Sequence, residues 1–296
     1  MRIRTLFSKP KNKSQLGLCF RQQSIAYCRV DNDLSVGFNE LSAPDKNYSL
    51  SLKELYKEHS LSGECHLVLS GQQSQIVQID KPNIPDEELN EALKWQIKDL
   101  VSIAPNDMVL DYFEAPITVG GVEKIHVVCA SKSELSTYVQ QLMDDDFSVE
   151  SITTEEFAFA SLVPQSDDAC LLVCQQPNEE VLLLIIKQGK LFFYRRLRGM
   201  ATISTKSEDE LTMSVVDALS VEIQRSTDYY ERQLKQAPIR SIEVLMPMEH
   251  EAFLARKLAE NTHVTVNIFS LPESVAQSKP YSACFGATQL SLVGEV

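Results

Sequence analysis

The sequence predicts an α/β protein built as two similar lobes, with a small α/β subdomain inserted in the first. Three observations predict it. A run of three short strands begins at Gln15, and a second run of the same design begins 155 residues later at Cys170. Each run is followed by helices and strands in alternation, the pattern of an α/β fold. A stretch starting near Pro82 interrupts the first series with elements of its own. At 296 residues, 44% apolar and 23% charged, the chain has room for two modest cores or one large one.

In order, Gln15–Phe20, Ser24–Asp31 and Val36–Leu41 read as strands separated by polar turns. Ser51–His59 reads as a helix, and His66–Leu69 and Gln75–Asp80 as strands. In the inserted unit Pro85-Asp86-Glu87-Glu88 opens a helix, with proline and acids where the N-terminus favours them. Leu89, Leu93, Ile97 and Leu100 give that helix an apolar stripe. Strands near Val109–Ala115 and Lys124–Ala130 follow, joined through a hairpin at Gly120-Gly121. Ser131 and Glu134 form a capping box for a helix bearing Leu135, Val139 and Leu142 on one face. Strand Val149–Ile152 and helix Glu155–Leu162 lead to the second lobe.

There, Cys170–Cys174, Val181–Lys187 and Lys190–Arg196 repeat the meander. A long helix over 207–235 starts at the capping box Ser207/Glu210 and carries Leu211, Val215, Leu219, Ile223, Tyr230 and Leu234 on one face. Strand Ser241–Leu245, helix His250–Glu260, strand Val264–Ile268 and a last helix from about Tyr281 complete the chain. The expected organisation is a basic arm at 1–14, a first lobe at 15–81 completed by about 145–166 and 281–296, the insert at 82–144, and a second lobe at 167–280.

Several function classes are excluded early. The longest apolar run, Val181 to Ile186, is far short of the ~20 residues a membrane helix needs. Lys9-Pro10-Lys11 stands where a signal peptide would be apolar. Seven cysteines without a CxxC pair suit a reducing compartment. Five scattered histidines offer no metal-ligand spacing, so no metal site is expected. Asp144-Asp145-Asp146 lacks the spaced carboxylates of a calcium loop. The net charge of −13 divides into +7 over the first 30 residues and −20 over the rest, so nucleic acid is not an expected partner. Arg2, Arg4, Lys9, Lys11 and Lys13 either meet an anionic membrane surface or form a solvated tail. There is no GxSxG, GxxxxGK[ST] or GxGxxG motif, and no catalytic residue is assigned.

The string Ile84-Pro85-Asp86-Glu87-Glu88-Leu89-Asn90-Glu91-Ala92-Leu93-Lys94-Trp95-Gln96, with Ala104-Pro105 and Leu110-Asp111-Tyr112, resembles the inserted subdomain of the PilM family of type IV pilus proteins. Val127-Val128-Cys129-Ala130-Ser131, Glu155-Glu156-Phe157-Ala158-Phe159-Ala160 and Ala283-Cys284-Phe285-Gly286-Ala287 extend the resemblance over roughly residues 15–292. Size and degenerate motifs are most similar to the MSHA-type branch. The resemblance implies an actin-like fold of two RNase H-like lobes, at the cytoplasmic face of the inner membrane. It also implies a partner, the cytoplasmic N-terminal segment of a PilN-like bitopic protein, and with it pilus motor or platform proteins. That segment is expected in a groove between the first lobe and the insert, near Gln75–Asp80 and Leu89–Leu100, with Ile79, Trp95 and Gln96 as candidate contacts. The sequence is next most similar to the cytoplasmic part of a type II secretion L protein. That protein continues into a membrane helix, and this sequence reaches Val296 without one.

Actin-like ATPases hold magnesium nucleotide at two meander turns, each with an Asp. In the first turn Cys19 stands in place of that Asp and Arg21 in place of a Gly; in the second, Cys174 replaces the Asp and Gln176 follows. The double Gly near the adenosine reads Met246-Pro247-Met248. Magnesium prefers oxygen ligands, which a neutral thiol does not supply. Glycine lets backbone approach a phosphate, and Arg21 adds bulk there, although it can instead pair with a phosphate as a cation. The expectation is a non-catalytic scaffold with no cofactor; a nucleotide-driven switch is the alternative.

Overall fold

The computed structural model describes residues 14–59 and 63–290. The candidate membrane-surface residues Arg2, Arg4, Lys9, Lys11 and Lys13 lie outside them. Among the described residues no helix is long and apolar enough to cross a membrane.

Two five-stranded sheets share one topology. The first runs β3-β2-β1-β4-β8, with β1 Gln15–Phe20, β2 Ser24–Val30, β3 Val36–Ser42, β4 Gly63–Leu69 and β8 Phe147–Thr154. The second runs β11-β10-β9-β12-β13, with β9 Cys170–Cys174, β10 Val181–Lys187, β11 Lys190–Leu197, β12 Ser241–Leu245 and β13 Thr265–Ile268. In each, an antiparallel meander adds two parallel strands beside its first strand. Parallel neighbours require helical crossovers, which bury both faces of the central strands. That is why β9 and β10 are continuous apolar runs. Leu171, Val173, Leu183 and Ile185 face one core, while Leu172, Cys174, Leu182 and Leu184 face another.

This second core joins the lobes. It receives Cys19, Ala26, Cys28 and Val68 from the first sheet, and two short helices, α4 (Glu155–Ala160) and α8 (Ser282–Gln289), lie in it. Two glycines allow α8 to sit so close. A Cβ on Gly17 of β1 would lie 1.9 Å from Cys284 O, and one on Gly286 would lie 1.9 Å from Ala158 O. The Ser161 hydroxyl ties the same crossing, within 2.9 Å of Ala158 O and 2.7 Å of Gly286 O. The outer face of the first sheet is covered by α1 (Tyr48–His59) and α3 (Lys132–Asp144), whose Ser131 cap accepts from Glu134 N. The outer face of the second is covered by α7 (Glu251–Thr262) and one long helix, made of α5 (Glu208–Glu210) and α6 (Val216–Asp228) with π-helical turns at Leu211–Val215 and Tyr229–Gln233.

The insert is a three-stranded antiparallel sheet, β5-β7-β6, of Ser74–Asp80, Lys124–Ser131 and Met108–Glu114, backed by α2 (Asp86–Ile97). It therefore begins at Ser74, earlier than the expected 82. The strand Ser74–Asp80 pairs with β7, Ile79 opposite Ile125, rather than with the first lobe. Leu89, Leu93 and Ile97 of the stripe are buried on this sheet, but Leu100 lies beyond the helix end and is exposed.

Candidate functional site

The two meander turns face each other across the lobes, and Arg21 fills the space between them. Its side chain is 2% exposed. Nη1 forms an ion pair with Glu40 at 3.0 Å, Nε donates to Gln176 Oε1 at 3.3 Å, and Nη2 donates to Pro280 O. The guanidinium also lies 5.7 Å from the ring centroid of Tyr281. A glycine here would leave a hollow; the arginine instead joins the first lobe, the second lobe and the segment leading into α8.

The contacts continue inward. Gln176 Nε2 donates to Glu155 Oε2 at 3.1 Å, and Glu155 accepts Gly71 N at 3.0 Å. Arg196 on β11 pairs with both Glu155 and Glu156, the latter at 2.5 Å. Beside them Gln22 N donates to Glu179 Oε1 at 2.7 Å, a bond from one lobe to the other. Burial pushes the Glu179 carboxyl up to about 7, and Glu155 nearby adds to this. Burial likewise raises Glu155. Glu155, Glu156, Glu179 and Arg196 escaped the sequence reading. A Glu-Glu pair opening a helix looks like any solvated first turn, and only the tertiary fold shows that α4 is buried at both acids.

An actin-like fold implies magnesium nucleotide between its lobes, and these residues do not fit it. Cys19 and Cys174 are fully buried, and desolvation pushes both thiols well above their ordinary range, so they are neutral. Neutral thiols in an apolar core are poor magnesium ligands. The Arg21 guanidinium already has Glu40, Gln176 and Pro280 as partners. Arg196 is likewise taken up by Glu155 and Glu156, so neither of these two guanidiniums is free for a polyphosphate. Among the described residues no His, Cys, Asp and Glu group is arranged to hold a metal. Outside Arg21 an open cleft of about 620 Å³ remains, bordered by Gln22, Ser24, Glu40, Asn178 and Thr202.

A second feature is a groove of about 590 Å³ between the insert and the first lobe. Its walls are the edge strand β6, through Val109–Phe113, and the edge strand β8, through Ile152–Thr154, with Leu69, Leu135 and Phe157 as apolar floor. Val109 and Ile152 are 41% and 42% exposed. This groove touches α2 at Asn90 but is not lined by β5. Ile79 is buried in the insert's own core with Leu89 and Leu93 and does not line this groove. Trp95 is exposed with Lys98 5.9 Å from its ring, and Gln96 is exposed beside it, but neither lines the groove. Alternation along β6 was the available signal, since Leu110-Asp111-Tyr112 lies in it.

The architecture defines an actin-like ATPase fold, and comparison with solved structures agrees. The chain is similar to one chain of a PilM-PilN type IV pilus biogenesis complex, with a TM-score of 0.70 and 16% identity over 95% of this chain and 99% of that one. It is also similar to the cytoplasmic domain of EpsL, an inner-membrane component of the type II secretion system of Vibrio cholerae, with a TM-score of 0.60 and 13% identity over 96% and 97%. A Bacteroides thetaiotaomicron protein with an actin-like ATPase fold matches with a TM-score of 0.51 and 9% identity over 86% and 90%. No protein-family model matches the sequence, and no curated protein does. At these identities the likeness establishes the fold.

Proposed function

We propose that this protein is a non-catalytic actin-like scaffold of a type IV pilus machine, working at the cytoplasmic face of the inner membrane. Its partner is the cytoplasmic N-terminal segment of a PilN-like bitopic membrane protein. The observation that carries this reading is the groove between β6 and β8. Both are edge strands, so each presents unpaired backbone N–H and C=O groups beside an apolar floor, the geometry that accepts an extended peptide as an added strand. The likeness to a chain of the PilM-PilN complex supports the partner's class. Within that class the sequence's size and degenerate turns support the MSHA-type machine and the pilus biogenesis protein MshI. The likeness to the EpsL cytoplasmic domain supports a second reading, a type II secretion platform component.

Calorimetric titration separates these. Heat with the N-terminal peptide of a PilN-like protein, and none with the peptide of a secretion-platform protein or with millimolar Mg-ATP, is the expected result. Saturable Mg-ATP binding would instead favour a nucleotide-driven switch. The basic arm supports a further contact, with anionic lipid. Deleting residues 1–13 is expected to leave the fold intact and to abolish salt-sensitive adsorption to anionic liposomes. Adsorption that survives the deletion refutes the lipid contact.

A further inference from the structure

We propose that Arg21 takes the place a nucleotide holds in this fold, so that the two lobes are fastened by the protein's own side chains and stay closed whether or not nucleotide is present. The lobes share an apolar core, and in the cleft beside it they also share a polar contact that both grip. Here one fully buried guanidinium supplies it. Its three nitrogens reach Glu40 in the first lobe, Gln176 in the second and Pro280 O before α8. Nε and Nη2 are hydrogen-bonded, and Nη1, which makes no hydrogen bond, is matched in charge by Glu40, so the protein itself bridges these groups.

The arrangement is built rather than incidental. Tyr48 Oη donates to Arg21 O at 2.6 Å, and Arg21 N donates to Ser24 O at 2.9 Å, so the backbone at the turn is held on both sides. Gln73 Nε2 donates to Tyr48 Oη at 3.0 Å, fixing the ring that holds the turn. On the far side, Gln176 is itself held by Glu155, and Glu155 by Arg196. A chain of ion pairs and hydrogen bonds therefore runs from Glu40 through Arg21, the neutral amide of Gln176 and Glu155 to Arg196. Buried charged groups of this kind are costly to leave half-paired, so removing one member loosens the whole junction.

The bond from Gln22 N to Glu179 reports directly on closure, because it exists only while the lobes meet. Hydrogen exchange at the Gln22 amide is therefore the test. In the native protein the amide is expected to be protected, and millimolar Mg-ATP is expected to leave its rate unchanged. Arg21→Ala is expected to speed its exchange by tenfold or more, while the amides of Leu183 and Ile185 in β10 remain protected. Gln176→Ala, which leaves Arg21 in place and removes its partner in the second lobe together with the bond to Glu155, is expected to act in the same direction and serves if R21A unfolds β10. An ATP-dependent change at Gln22 in the native protein overturns the proposal. So does unchanged exchange in Q176A, or in an R21A protein that keeps β10 protected. Neither readout involves the peptide groove, so the result stands apart from the partner assignment.

Discussion

Gly286 shows how much can depend on one missing methyl group. With Ala158 O 1.9 Å from where a Cβ would stand, Gly286→Ala must push α8 away from α4. A loss of about 3 kcal/mol in denaturant unfolding is expected. Gly37→Ala, where nothing lies within 4 Å, should change stability little and serves as the control. Glu179 gives a prediction in pH. Its carboxyl titrates near 7 in the folded chain against an ordinary 4.5, chiefly through burial. The folded state holds this proton more tightly, so the group's contribution falls as pH rises from about 4.5 to about 7 and is then level. Its size is on the order of 3 kcal/mol. Glu179→Gln keeps an acceptor for Gln22 N, and it is expected to be the more stable protein at pH 8 while matching native stability near pH 4.5. Thermal unfolding against pH checks this. Comparing the two proteins cancels His126, which burial holds down to about 4 and which acts in the opposite direction between about 4 and 6.5.

Elements were legible in the sequence where one face is uniformly buried. β1, β9, β10 and β12 fall at the expected residues because apolar runs between polar turns leave little choice of register. The Ser207/Glu210 box likewise marks the start of the long helix, with both reciprocal bonds present. Ser207→Ala is expected to cost about 1 kcal/mol. What local pattern does not encode is which sheet a strand joins. Ser74–Asp80 looked like a continuation of the first lobe, but its alternating Val77 and Ile79 find their partners some 50 residues on, in β7. That pairing buries Ile79 in the insert's own core. At the groove, Ile152→Glu places a charge on an exposed apolar wall. It should weaken the partner peptide at least tenfold while shifting unfolding stability by no more than ~0.5 kcal/mol. Equal affinity would dissociate the groove from docking.

For the molecule as a whole, the duplicated meander was the informative signal, since two copies of one strand pattern imply two sheets of one topology. The site was less legible. Cys19, Arg21, Cys174 and Gln176 could be picked out as departures from a nucleotide-binding pattern. The sequence did not reveal that Arg21 spans the lobes, because its three partners lie at positions 40, 176 and 280. Long-range charge pairing has no periodicity to read. The carboxylates that complete the junction are indistinguishable in sequence from the many solvated acids of a chain with 41 of them.

The seating of Cys284 against Gly17 has a consequence for synthesis. β1 leaves the ribosome long before the backbone that covers its inner face, which belongs to α8, more than 260 residues later. At ordinary translation rates the first lobe waits tens of seconds with that face bare. Nascent chains arrested before Ser282 should therefore be cut rapidly by protease within the first lobe. Released chains that include α8 should resist, that helix acting as the stitch that closes the first sheet.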